Sequence, residues 1–156
     1  MKKLSIIVPV YNEINTVEII IKKLVKLRLY NGASKEVIIV DDFSSDGSSD
    51  VIKKYETEYD FIKAIYKDKN KGKGDSQRLA KKYVTGDYVI IQDADLEYEP
   101  EDINKLLKIA IEENKDFVIG HRQMKTSINH PYFYFRELAV NLLTFLMNIL
   151  YKTSII

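Results

Sequence analysis

Two stretches limit the possible folds most: "KEVIIVDD" (35–42) and "YVIIQDAD" (88–95). Each drives an uninterrupted run of apolar β-formers into a pair of aspartates. Continuous rather than alternating apolar character marks a strand covered on both faces, and such strands belong to parallel sheets flanked by helices. Three further short runs read the same way: Leu4 to Val8, Phe61 to Tyr66 and Phe117 to Gly120. The segments between them change period. Val17, Ile20, Ile21, Leu24 and Leu27 recur at helical spacing with Lys22, Lys23 and Lys26 opposite, and Asn15 with Glu18 has the spacing of a capping pair. Gly32 ends that unit. A helix through Tyr55 is expected after "FSSDGSSD", another from about Asp75 to Val84, and one opened by Pro100 through Glu113. A last helix is expected over Tyr132 to Lys152. Alternating strands and helices predict an α/β fold, a mostly parallel doubly wound sheet with helices on both faces. The expected organisation is one domain over 1–130, with an amphipathic C-terminal helix over 131–156 that is either part of it or turned to a membrane or partner.

Bulk properties remove several functions. The 24 basic and 23 acidic residues leave +1, so no excess charge points to nucleic acid. Without cysteine there is no disulfide or thiolate metal site, and His121 and His130 are too few for a histidine zinc site. "MKKLSIIVPVYNE" has too short an apolar run for a signal peptide, which predicts a cytoplasmic start. No run reaches the roughly 18–20 apolar residues of a spanning helix. Leu138 to Tyr151 comes nearest and is interrupted by Asn141 and Asn148. The ending "YKTSII" has no polar tail or cap, and reads as a chain cut short.

In a doubly wound sheet, ligands sit at the carboxyl ends of the strands, where Asp41, Asp42, Asp93 and Asp95 fall. A dinucleotide cofactor asks for glycines in the first strand-to-helix turn, and "PVYNEIN" has none. Gly72-Lys73-Gly74 lacks the spacing of a P-loop. Residues two apart on an extended path point the same way, so Asp93 and Asp95 can face one point, with Glu97 in the same parity. Two close carboxylates favour a cation between them, and hard oxygen donors suit Mg²⁺ or Mn²⁺ completed by phosphates and water. The competing reading is a solvated acidic turn in which Asp95 caps a helix. The loop "KDKNKGKGDSQR" is either a solvated basic loop or an anion cradle, because its glycines admit close backbone approach and a helix N-terminus follows. An acidic metal-type site beside a basic glycine loop suits a diphosphate.

The set "SIIVPVYNE", "KEVIIVDDFSSDGSSDVI", "NKGKG…R", "GDYVIIQDADLEYEPEDINKLL" and "DFVIGHR" resembles family 2 glycosyltransferases of the GT-A fold. It is most similar to the dolichyl-phosphate mannosyltransferase branch and its bacterial polyprenyl-phosphate relatives, from about Leu4 to Tyr151. The resemblance implies a nucleotide-diphosphate sugar donor and a divalent metal. It implies that Pro9, Tyr11 and Glu13 line the nucleotide pocket and that Asp41 or Asp42 contacts the base or ribose. Asp93 and Asp95 match the metal-binding Asp-x-Asp, Glu97 a further metal contact, and Lys73 a lysine near the nucleotide. Arg122 matches a phosphate-facing arginine, although His121 stands where the family has serine, and Arg136 lies near a second arginine. Asp75 stands where the family usually has a small residue.

The resemblance further implies single displacement with inversion at the anomeric carbon. A polyprenyl phosphate acceptor needs no general base, since its second pKa lies near ~6. The final helix carries Glu137, Asn141, Thr144, Asn148 and Lys152 on one stripe among apolar residues. That pattern fits a peripheral helix at the cytoplasmic face of a membrane, a homodimer contact, or burial on its own domain. Two alternatives stay open: transfer to a sugar or protein hydroxyl with the base in a missing C-terminal part, and a non-catalytic nucleotide-sugar binding module.

Overall fold

The computed structural model describes residues 1–120 and 142–145. The first 120 residues form one compact unit. Four strands, β1 (Lys3–Val10), β2 (Ser34–Asp41), β3 (Ile62–Tyr66) and β4 (Tyr88–Ile91), make an all-parallel sheet in the order β3-β2-β1-β4. The helices between and after them are α1 (Val17–Lys26), α2 (Ser48–Glu58), α3 (Lys73–Ala80) and α4 (Ile103–Glu112).

Both faces of the sheet are covered. On one face Leu4, Ile6, Val8 and Val10 of β1 and Val37 and Ile39 of β2 pack with Val17, Ile20, Ile21 and Leu24 of α1, Ile52 and Tyr55 of α2, and Ile103 and Leu107 of α4. On the other, Ile7, Ile38 and Val40 meet Ala80, Leu79, Tyr83 and Val84 in and after α3. The parity of β1 and β2 thus divides one apolar run between two cores, which explains why these strands read as continuous rather than alternating.

The helix starts and stops differ from the sequence expectation in instructive ways. Asn15 does not cap α1. Thr16 is the N-cap residue, and its hydroxyl donates to the Glu13 carboxylate at 2.8 Å while Val17 N donates to Glu13 O. At the other end of α1, Lys35 reaches back from β2 and donates to the carbonyls of Leu24, Val25 and Leu27 at 2.5, 2.9 and 2.7 Å. A cation there satisfies the open carbonyls and opposes the negative end of the helix dipole. Helix α3 opens at Lys73, earlier than expected, and tightens into a 3-10 turn over Lys81–Tyr83. Pro100 opens a 3-10 turn, Pro100–Asp102, that leads into α4.

The fifth strand, expected at Phe117 to Gly120, does not form: among the described residues the segment has no ladder partner, and Phe117 and Ile119 are 78% and 75% exposed. Apolar β-formers make a strand only where a sheet edge accepts their hydrogen bonds, and among the described residues the pairing ends at β4. Of the helix expected over Tyr132 to Lys152, only 142–145 lies within the described residues, and that turn is helical with Leu142, Leu143 and Phe145 exposed. Among the described residues no helix is long and apolar enough to cross a membrane.

Candidate functional site

The sheet order reverses at β1, which has β2 on one side and β4 on the other. Ligand crevices of parallel sheets open at such switch points, beyond the carboxyl ends of the strands. A cavity of about 250 Å³ lies there, lined by Pro9, Val10, Tyr11 and Glu13 after β1, Asp42 after β2, Asn70, Gly72, Lys73 and Ser76 of the glycine loop and α3, and Asp93, Ala94 and Asp95 after β4.

Two loops are stitched together to form one wall. Asn12 N donates to Ser44 Oγ, Glu13 N to Ser48 Oγ, Ile14 N to Asp46 Oδ2, and Ser45 N to Asn12 Oδ1, all at 2.8–2.9 Å. Asp46 also accepts from the backbone and hydroxyl of Ser48 at 3.0 and 2.6 Å. Burial raises its pKa, but these bonds outweigh that and hold it below the ordinary aspartate range.

The two aspartates after β2 have different surroundings. Asp41 is taken up inside the β2–α2 turn, accepting from Ser44 N at 3.2 Å and Ser49 Oγ at 2.5 Å, and does not line the cavity. Asp42 lines it, and its carboxylate anchors the glycine loop. Lys71 N and Gly72 N donate to it at 3.0 and 2.6 Å, and Lys67 Nζ meets it at 2.5 Å. Lys67 also pairs with Asp75 at 2.8 Å. The side chains of Lys67 and Asp42 are only 5% and 3% exposed. Burial works against both charges, and the pairing outweighs it, leaving Asp42 below and Lys67 above their usual ranges. Gly72 sits at φ 84°, the left-handed region that favours glycine.

Opposite that loop, β4 delivers Asp93 and Asp95. Lys73 Nζ lies 2.6 Å from Asp93 Oδ1. That oxygen is buried, and among the described residues no donor, Lys73 included, meets it at hydrogen-bond angles. Asp95 is exposed, and its Oδ1 accepts from Glu97 N at 2.9 Å, an Asx turn. Leu96 stands at φ 65°, so the extended path breaks there. The parity argument for Glu97 fails with it. Among the described residues no three His, Cys, Asp or Glu side chains converge as metal ligands, so Glu97 does not complete a carboxylate trio.

The remaining donor set, Asp93 and Asp95, still suits a hard divalent ion. A buried carboxylate oxygen without a hydrogen bond is a ready first ligand, and Mg²⁺ commonly takes only one or two carboxylates with the rest from phosphates and water.

The sequence reading placed Pro9, Tyr11, Glu13, Asp42, Lys73, Asp93 and Asp95 at the site, and these seven line one cavity. Arg122 and Arg136 lie outside the described residues. Asn70 and Ser76 were not foreseen in the lining; their only signal was position inside the glycine loop and at the start of the helix that follows.

Residues 5–154 match the family profile described as glycosyl transferase family 2. The dolichol-phosphate mannosyltransferase of Pyrococcus furiosus is 31% identical over 136 residues, which is 87% of this chain and 38% of that protein. The chain therefore spans well under half the length of this relative. In solved structures, S. aureus TarS 1–349 in complex with UDP-GlcNAc superposes with a TM-score of 0.64 at 25% identity, covering 80% of this chain and 37% of the other. The mannosyltransferase PcManGT from Pyrobaculum calidifontis, in complex with GDP-Man and Mn²⁺, superposes with a TM-score of 0.60 at 23% identity, covering 69% and 32%, a likeness of fold. With a parallel sheet of matching architecture and a family match along nearly its whole length, the chain belongs to glycosyl transferase family 2.

Proposed function

We propose that this chain binds a nucleotide-diphosphate sugar and transfers its sugar to a polyprenyl phosphate, with a divalent metal at Asp93 and Asp95. The observation that carries the reading is one cavity with the glycine-loop lysine on one wall and the β4 aspartates on the other. The named relatives support the two ends of the reaction. One is a dolichol-phosphate mannosyltransferase, and two structural neighbours hold GDP-Man with Mn²⁺ and UDP-GlcNAc.

Breaking the sugar–phosphate bond builds negative charge on the departing diphosphate. Charge stabilisation at that point is the largest effect the cavity can supply. Lys73, which lines the cavity, is positioned to donate a charge-assisted hydrogen bond to a diphosphate oxygen. Asp93 and Asp95 would hold a Mg²⁺ or Mn²⁺ ion, which would supply Lewis-acid neutralisation of diphosphate charge. Tyr11, exposed at the mouth, and Pro9 and Val10 offer an apolar floor to the nucleoside. Asp42 shapes the pocket chiefly through the loop it anchors. A phosphate acceptor arrives already ionised near neutral pH, so no side chain need take its proton. By the resemblance, Arg122 is assigned to the phosphates, and Arg122 with Arg136, which lies near a second arginine of the family, to the acceptor phosphate. The helix expected from sequence over Tyr132 to Lys152, described only at 142–145, is assigned to the membrane surface where such an acceptor resides.

A transfer assay tests this with a panel of labelled nucleotide sugars and short polyprenyl phosphates, with and without Mn²⁺. Transfer to polyprenyl phosphate that needs the metal is the expected result. Donor binding with no turnover on any acceptor would instead make this chain a binding module. Transfer only to hydroxyl acceptors would overturn the lipid assignment.

A further inference from the structure

The Lys73–Asp93 contact joins two groups that the proposed reaction assigns to different partners, the lysine to the diphosphate and the aspartate to the metal. In the structure they meet each other at 2.6 Å. Three features describe how they are held. The backbone under Lys73 is fixed, since Asp42 accepts from Lys71 N and Gly72 N and is itself locked to buried Lys67. The lysine side chain is not fixed: it is 55% exposed at the first position of α3, and a four-carbon stem lets its ammonium sweep several ångströms. Its contact with Asp93 is one of charge: among the described residues the buried Oδ1 meets the ammonium at close range but outside hydrogen-bond angles.

We infer that Lys73 is the resident counter-ion of Asp93 in the ligand-free cavity, and that a divalent cation displaces it from the aspartate toward the donor's diphosphate. The inference rests on the proposed function and adds an exchange within it. Lysine and metal compete for one oxygen when no donor is present. They cooperate once a diphosphate gives the released ammonium a new partner. A metal arriving alone must evict the lysine into water, and a diphosphate arriving alone must strip Asp93 of its counter-ion. Arriving together they leave every charge matched. By linkage, each then strengthens the other by the same factor.

The test uses the full chain, Mn²⁺ alone as the first probe and GDP, with UDP as a second nucleotide, as the next. Free Mn²⁺ is followed by electron paramagnetic resonance, and nucleotide affinity by calorimetry in excess Mn²⁺ and in chelator. Lys73→Met keeps the stem and removes the charge. Lys69→Met, on an exposed lysine of the same loop outside the cavity lining, removes the same charge elsewhere. Lys73→Met should bind Mn²⁺ alone about three- to fivefold tighter than the parent, the scale of a partly exposed ion pair, and Lys69→Met should differ by less than about twofold. The factor by which Mn²⁺ strengthens nucleotide binding should fall at least about threefold in Lys73→Met. Thermal melting checks that both variants remain folded. Unchanged or weaker Mn²⁺ binding in Lys73→Met, or an equal gain in Lys69→Met, would overturn the exchange. If the parent shows Mn²⁺-strengthened nucleotide binding while Lys73→Met behaves like the parent, the exchange fails and the metal assignment stands. If neither protein binds Mn²⁺, with or without nucleotide, both fail.

Discussion

The two ends of the sheet use the same kinds of residue for opposite purposes. At the amino end, Glu36 accepts from Ser5 Oγ at 2.5 Å, Thr85 N at 2.7 Å and Thr85 Oγ1 at 2.6 Å, and pairs with Lys3 at 2.7 Å. Ser5 Oγ in turn accepts from Gly86 N at 2.9 Å, and Asp87 accepts from Lys3 N at 2.8 Å. These groups satisfy one another, and they tie β4 to β1 and β2. At the carboxyl end, Asp93 keeps a buried oxygen that among the described residues no donor meets at hydrogen-bond angles, Asp95 is exposed, and the bulky Phe43 and Leu96 hold positive φ. A closed network stabilises the fold and has nothing left for a ligand. An open network with local backbone strain is what a binding site requires, and its cost is carried by the rest of the sheet.

That contrast is broken most severely at the open end by Asp95→Ala. If the carboxyl end serves ligands, turnover in the transfer assay should fall on the order of 10²–10³-fold, as for loss of one transition-state electrostatic contact. Stability should hold, with the melting temperature moving by no more than about 2 °C, because Asp95 is exposed and its carboxylate accepts a local turn bond from Glu97 N. Calorimetry with a nucleotide sugar, with and without Mn²⁺, reads the binding side. Metal-dependent affinity equal to the parent's would remove Asp95 from the site.

The closed end should show the reverse pattern. A Cβ on Gly86 would lie 2.6 Å from Ser5 Oγ and 2.8 Å from Lys3 O and Ser5 N, and two of those three atoms are backbone. Gly86→Ala should therefore cost about 1–3 kcal/mol, read by denaturant unfolding. Glu36→Gln places an amide among donors that need an acceptor, and should cost about 2 kcal/mol. Neither should change nucleotide affinity in the folded protein. If either does, the two ends are not separable.

Acid sharpens the same comparison. Burial pushes the Glu36 carboxyl up, but the bonds from Lys3, Ser5 and Thr85 together outweigh it and bring its pKa to about 2, from an ordinary 4.5. A folded pKa below the unfolded one means the unfolded chain takes up the proton first. The contribution is thus complete above about pH 4.5 and is lost as pH falls toward about 2. The stability of the parent should drop more steeply than that of Glu36→Gln across this window, by on the order of 2–3 kcal/mol in total. Parallel curves would show that Glu36 keeps its ordinary pKa.

Much of this division was legible in the sequence, and what was not has physical causes. The apolar runs of β1 and β2 announced buried parallel strands because both faces of each are covered. Asp93 and Asp95 followed from the end of β4. Glu97 did not follow, because the left-handed turn at Leu96 cannot be seen in a leucine. Asp41 and Asp42 read as equals in sequence. The structure separates them because neighbours on a strand face opposite ways, one into the α2 turn and one toward the cavity. In sequence Glu36 reads only as the start of a strand, and Lys35 as the residue before it. Their partners lie 8–49 residues away, at distances where no local pattern exists. The segment at Phe117 was read as a strand from its side chains alone, although a strand is a property of a pair.

The smallest expected effect concerns strain at the open end. Phe43 holds φ at 68° with its ring exposed, and it belongs to neither core cluster. A bulky residue gains nothing from that conformation, which favours glycine and, among side-chain residues, asparagine. The turn imposes it from both sides: Ser44 N is held by Asp41, and Ser44 Oγ holds Asn12 N. Phe43→Asn should leave those bonds in place, relax the backbone and create no cavity. The expected gain is about 0.5–1 kcal/mol, or roughly 1–4 °C in melting temperature for a chain of this size. Nucleotide affinity should not change, since Phe43 does not line the cavity. A lower melting temperature would show that the ring makes a stabilising contact that offsets the strain. Higher stability with weaker nucleotide binding would show instead that the turn is kept strained to hold an aromatic ring at the lip of the site.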